Sequence, residues 1–209
     1  MNLDQIAGIA HEPDKQRYNA PTGVVVLTHG AGGSRESPLL TKICDEWARR
    51  GWLAVRYNLP YRRRRPKGPP SGSAASDQAG VVEAIALAHT LTKGPVIAGG
   101  HSYGGRMTSM VIADQSAAVD VLTLFSYPLH PPGKPERART DHLPRITVPT
   151  VFTHGTADPF GTIDEVRPAV ALIAAPTQIV EVTGARHDLG SKTHNVPVLA
   201  VDAALQFLA

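Results

Sequence analysis

Three residue types in this chain could together break a carbonyl bond: a serine, an aspartate and a histidine, set far apart in sequence. Ser102 lies in Ala98-Gly99-Gly100-His101-Ser102-Tyr103-Gly104-Gly105, with glycine two residues to either side. A serine hydroxyl is a weak nucleophile at neutral pH and needs a base to take its proton on attack and return it to the leaving group. That base must be oriented, and its cation balanced, by a carboxylate. His187 and His194 are the candidate bases, and Asp158 and Asp164 the candidate carboxylates.

The elements around these residues make the pattern more than a chance spacing. Pro95-Val96-Ile97-Ala98 reads as a strand, and Met107, Met110, Val111 and Ile112 follow at helical spacing, so Ser102 falls in a sharp turn from strand to helix. Glycines flanking such a turn remove side chains that would collide. The unbroken β-branched run Gly23–Thr28 reads as a buried parallel strand, and Trp52–Tyr57, Val119–Phe125, Pro149–Thr153 and Thr177–Val182 read as further strands. A further short strand is expected near Gln5–Ala10. Helical patterns fall between them, at about 37–50, 74–92, 105–115, 163–174 and 196–208. Strands alternating with helices predict an α/β protein with a mostly parallel sheet of about six or seven strands and helices on both faces. In such sheets ligands bind beyond the carboxyl ends of the strands. The loops at that edge are 29–34, 100–104, 155–161 and 184–189, which carry Ser102, Asp158 and His187 between them.

The 209 residues suffice to bury roughly 70% of the unfolded surface around one core, so a single domain over 1–209 is expected. No apolar run reaches the ~20 residues of a membrane span, and the first residues lack a signal-peptide pattern. With a single cysteine, Cys44, there is no internal disulfide, and the expected location is cytoplasmic. Cys44 itself falls beside the apolar face of a helix and reads as core. No cofactor is called for, and no His/Cys/Glu spacing suggests a metal.

The formal charge is only +3, but eight of the 21 Lys and Arg lie between Arg49 and Lys67, including Arg62-Arg63-Arg64-Arg65. The run reads as a solvated loop; the other readings are a patch that draws anionic substrates, and, least favoured, a nucleic-acid surface.

Taken together, the chain order Ser102, Asp158, His187 and the glycine-flanked serine resemble the α/β-hydrolase superfamily over almost the whole chain. The likeness is greatest to small lidless members of the dienelactone-hydrolase-like kind. Tyr127–Lys134, His142–Ile146 and Gly155–Gly161 look like bacterial relatives of a hydrolase-like subunit of eukaryotic chromatin-modifying complexes. The resemblance implies an α/β-hydrolase fold without a lid domain, the segment 126–148 being too short for one. It favours Asp158 over Asp164 and His187 over His194. It also implies an oxyanion hole made by the backbone N–H groups of Tyr103 and Ala31, with Gly32 as the alternative to Ala31.

The expected activity is hydrolysis of small-molecule carboxylic esters with short or accessible acyl groups, in an open site lined by Tyr61, Arg62, Tyr103, Tyr127, His130 and Phe160. Two other classes compete with it. One is a non-catalytic interaction module that docks acidic partners through Arg62–Arg65. The other is a dinucleotide-binding oxidoreductase built on Gly30-Ala31-Gly32-Gly33, whose fingerprint fails because position 35 is arginine where glycine is needed.

Overall fold

A computed structural model of the chain describes residues 2–70, 73–190 and 193–209. Seven strands form one sheet: β1 (Ile9–His11), β2 (Val24–Thr28), β3 (Leu53–Tyr57), β4 (Val96–His101), β5 (Val121–Phe125), β6 (Thr150–Gly155) and β7 (Thr177–Val182). Their order is β1-β3-β2-β4-β5-β6-β7. Only β1 runs antiparallel, pairing Ile9 with Arg56, while the other six strands are parallel. The unbroken apolar runs follow from this, since a parallel strand between helices is covered on both sides. In β2, Val24 and Val26 face one core and Val25 and Leu27 the other.

Helices α1 (Pro38–Arg49), α2 (Pro60–Arg64), α3 (Ala74–Leu91), α4 (Tyr103–Ala113), α5 (Ile163–Val170) and α6 (Val196–Leu205) fill the connections. α1 and α6 cover one face, around Trp47, Trp52 and the buried Cys44. α3, α4 and α5 cover the other, around Ile85, Met107, Leu124 and Phe152. Two elements depart from expectation. The segment before β1 makes a single 3-10 turn, Asp4–Ile6, that buries Ile6 completely. The arginine run is helical: Pro60 starts α2 with its φ already suited to a first helical turn. Between β5 and β6 there are only two 3-10 turns, Pro135–Arg137 and Leu143–Arg145, and no helical lid. Among the described residues, no helix is long and apolar enough to cross a membrane.

His29, at the end of β2, is fully buried, and both of its ring nitrogens are used. Nδ1–H donates to the Gly30 carbonyl at 2.9 Å, and Nε2 accepts the Leu59 N–H at 3.2 Å. Only the neutral ring can do both, and burial pushes the His29 pKa down to about 4. Burial holds His101, His142 and His154 low as well. The unfolded chain takes up these protons below its ordinary histidine pKa of ~6.5. Between pH ~6.5 and ~4 it therefore binds more protons than the fold, and stability falls as pH falls, by about 3 kcal/mol for His29 alone. Urea unfolding at pH 7 and pH 4.5 is expected to show a clearly lower midpoint at pH 4.5, with a shallower dependence in His29→Asn; equal midpoints would contradict the buried neutral ring.

Candidate active site

β4 is the central strand, and its end makes the site possible. Ser102 has φ 50° and ψ −117°, a left-handed backbone conformation that costs a residue with a Cβ of order 1–3 kcal/mol. It is held there by its N–H donating to the Phe125 carbonyl at 2.8 Å and by its own carbonyl accepting from Arg106 N–H at 2.9 Å. The flanking glycines are required by close approach. A Cβ on Gly100 would lie 2.6 Å from the Thr28 carbonyl oxygen, and one on Gly104 would lie 2.5 Å from that of His29. Both nearest collisions are with the end of β2, so the glycines let the turn close against the neighbouring strand.

Around this turn three loops bring the polar groups together. His187 Nε2 lies 2.8 Å from Ser102 Oγ, and His187 Nδ1 lies 2.8 and 3.0 Å from the two oxygens of Asp158. Asp158 is buried, which alone would raise its pKa. The His187 hydrogen bond and the Phe160 N–H, which donates at 2.9 Å, outweigh that and hold the carboxyl below its usual range. The histidine is fixed from two further sides. Phe160 stacks against its ring with centroids 4.2 Å apart, and His101 Nε2–H donates to its carbonyl at 2.7 Å. His154 Nε2–H donates to the Gly161 carbonyl at 2.8 Å, closing the loop that carries Asp158. Asp164 is exposed on α5, and His194 lines a neighbouring cavity.

The glycine loop after β2 is braced from behind by α2. Tyr61 Oη–H reaches the Ala31 carbonyl at 2.8 Å and that of Gly30 at 3.2 Å. Arg62 donates to the carbonyls of Gly33 at 2.7 Å, Gly68 at 2.9 Å and Ala31 at 3.3 Å. A trans peptide sets each N–H opposite its carbonyl, so the Ala31 and Gly32 N–H groups point away from α2. Neither these two nor the Tyr103 N–H finds an acceptor among the described residues. Asp77, 3% exposed, ties the two sides together by accepting from Tyr61 N–H at 3.0 Å and Tyr103 Oη–H at 2.8 Å.

Four of the expected lining residues are elsewhere. Tyr61 and Arg62 are buried behind the glycine loop, and Tyr127 is buried in the core with its hydroxyl on the Arg139 carbonyl at 2.6 Å. His130 is turned away to the Pro131 carbonyl and Glu165. Each lies in a loop at the catalytic edge, but loop position does not fix side-chain direction, and buried aromatic surface wins over exposure. The arginine run is no uniform solvated patch either: Arg62 is buried and Arg63 pairs with Glu83 at 2.9 Å, leaving Arg64 and Arg65 exposed.

The cavity over Ser102 has a volume of about 590 Å³. Gly30–Gly33, Tyr103, Phe160 and His187 border it, together with Arg106 and Arg139, which the sequence reading did not select. Arg106 was within reach of pattern reasoning, since it stands four residues after Ser102 and so one helical turn along. Nothing in the sequence marks Arg139. A larger neighbouring cavity of about 770 Å³ shares Ser37 and His101 with this one but is bordered by neither Ser102 nor His187.

Residues 21–197 match the family model described as Alpha/beta hydrolase domain, and the chain belongs to that family. Solved structures share its fold at low identity. An alpha-beta serine hydrolase homologue from Coxiella burnetii is 16% identical, with a TM-score of 0.73 over 97% of this chain and 91% of that one. A dienelactone hydrolase from Anabaena variabilis is 21% identical, with a TM-score of 0.70 over 96% and 90%. Est1E from Butyrivibrio proteoclasticus, solved with ferulic acid bound, is 15% identical, with a TM-score of 0.74 over 96% and 93%.

Because Arg62 holds three loop carbonyls from a buried position, Arg62→Ala is expected to lower the unfolding free energy by about 2–4 kcal/mol, whereas the exposed Arg65→Ala should change it by less than about 0.5 kcal/mol. Urea denaturation of the two variants checks the difference. Equal, small effects would place Arg62 in solvent.

Proposed function

We propose that this chain is a serine hydrolase that cleaves carboxylic esters through an acyl-enzyme. The observation that carries the reading is the unbroken hydrogen-bond relay from Ser102 Oγ through His187 to Asp158, each step 2.8–3.0 Å, on a serine held at φ 50°. Ser102 Oγ attacks the ester carbonyl as His187 Nε2 takes its proton, and Asp158 orients the ring and balances the imidazolium. The tetrahedral oxyanion is met by the Tyr103 N–H and by that of Ala31 or Gly32, all three of which lack another acceptor. Collapse expels the alcohol, which takes the proton from His187. A water then attacks the acyl-serine with His187 again as base, releasing the acid and restoring Ser102.

Substrate scope follows from the covering. With two 3-10 turns in place of a helical lid, the site is open to solvent on one side and suits short acyl groups or esters exposed on larger molecules. The dienelactone hydrolase and the ferulic acid complex among the structural relatives support an ester or lactone bond without specifying which one this chain cleaves. The interaction-module reading keeps only part of its docking surface, because Arg62 is buried and Arg63 pairs with Glu83, leaving Arg64 and Arg65 exposed.

A p-nitrophenyl ester series from acetate to long acyl chains tests the proposal. The unsubstituted chain should prefer short acyl groups, and Ser102→Ala should lose roughly a thousandfold or more in kcat. A parent no faster than Ser102→Ala would end the hydrolase reading. Asp158→Asn keeps the size of the side chain but cannot balance the imidazolium, and kcat should fall by about 10³–10⁴. Arg62→Ala, in contrast, should slow acidic and neutral esters by the same factor, since its guanidinium grips backbone behind the loop; selective loss on acidic esters would return it to the site.

A further inference from the structure

The cavity over Ser102 holds two positive charges that the fold does not neutralise. Arg106 and Arg139 both border it. Several other arginines meet carboxylates, Arg50 at 2.6 Å from Asp202, Arg56 at 3.0 Å from Glu36 and Arg145 at 2.8 Å from Asp114, and the buried Arg62, which meets none, is held by backbone carbonyls. Neither Arg106 nor Arg139 has such a partner among the described residues. Among the described residues, the buried Arg106 Nε has no hydrogen-bond partner, and the Arg139 side chain bonds the Pro128 carbonyl alone, at 3.0 Å. Buried donors left unsatisfied are uncommon in folded proteins, and two guanidiniums that repel each other across one cavity are more so.

Their placement is rigid. Arg106 stands on the first turn of α4, its backbone N–H donating to the Ser102 carbonyl at 2.9 Å. Arg139 is anchored through its backbone, its N–H donating to the Leu129 carbonyl at 2.7 Å and its carbonyl accepting from Tyr127 Oη–H at 2.6 Å. Burial and the neighbouring Arg106 charge lower the Arg139 pKa, the response of a cation that lacks a counter-charge. Among the described residues no carboxylate pairs with either arginine: Asp158 is taken by His187 and Phe160, Asp77 by Tyr61 and Tyr103, Asp114 by Arg145, and Asp141, whose charge reaches Tyr127 and His142, is exposed.

We infer that Arg106 and Arg139 form a carboxylate-binding subsite, and that the substrates of this chain are esters carrying a free carboxylate a few bonds from the scissile carbonyl. A carboxylate offers two oxygens, one for each guanidinium fork, and would supply the missing acceptor for Arg106 Nε. The inference rests on the ester-hydrolase reading for the position of the reacting bond, while the anion subsite itself stands on the cavity alone.

The test separates the two. Calorimetric binding of methyl hydrogen adipate and of its neutral analogue methyl adipamate is measured on Ser102→Ala, where no turnover occurs. The anion is expected to bind at least tenfold more tightly, with that preference shrinking as NaCl rises from 0.05 to 0.5 M. Arg106→Gln and Arg139→Gln in the same background are each expected to remove most of the preference, and Arg106→Lys to keep part of it. Thermal unfolding identifies any variant that has lost its fold; for such a variant the salt dependence of the parent decides. Equal binding of the two ligands, a preference indifferent to salt, or one that survives both Gln substitutions would overturn the subsite. Absence of methyl hydrogen adipate hydrolysis by the unsubstituted chain, with the binding preference intact, would strike only at the ester-hydrolase reading.

Discussion

Everything at this site depends on how closely the turn after β4 approaches the end of β2. Gly100 and Gly104 leave no room for a Cβ between them and the carbonyls of Thr28 and His29, with 2.6 and 2.5 Å as the distances a methyl carbon would have to occupy. That approach puts the Ser102 hydroxyl beside the glycine loop that follows β2, and so beside its free N–H groups. It also forces the serine into a left-handed conformation, a local cost that the packed sheet and helices on either side must carry. A looser turn would relieve the strain and separate the nucleophile from the groups that serve it.

The surrounding structure holds the parts in place without touching the reacting atoms. α2 grips the glycine loop by its carbonyls, Asp77 joins that helix to Tyr103, and His101 and Phe160 fix His187 from two directions. These are buried or half-buried contacts in which each polar group has a partner, the condition under which such networks rigidify a site. Arg106 and Arg139 are the exception. Like the free N–H groups of the glycine loop and Tyr103, their charges, and the unbonded Arg106 Nε, are left to be met by what enters.

The fold was legible in the sequence to a large extent. Strands at Val24–Thr28 and Thr177–Val182 and the long helix Ala74–Leu91 have bounds close to those read from apolar runs and helical spacing. The glycine-flanked serine gave the position of the turn. The short α2 was not legible, because five residues with three consecutive arginines carry no amphipathic period, and what makes them helical is Pro60 at the start and the glycine loop as a partner for Arg62.

The sequence by itself determined the order of strands and helices, the loops that meet at the sheet edge, and the residue types able to act there. These follow from period, β-branching and glycine placement, which are local and survive without knowing what packs on what. Only the tertiary structure decided which side chains in those loops face the cavity. Tyr61, Arg62, Tyr127 and His130 turn inward to aromatic neighbours, backbone carbonyls and Glu165, while Arg106 and Arg139 face the space above Ser102. The direction a loop side chain takes is set by partners distant in sequence, Ala31 and Gly33 for Arg62 and Arg139 for Tyr127, and no pattern along the chain records those meetings.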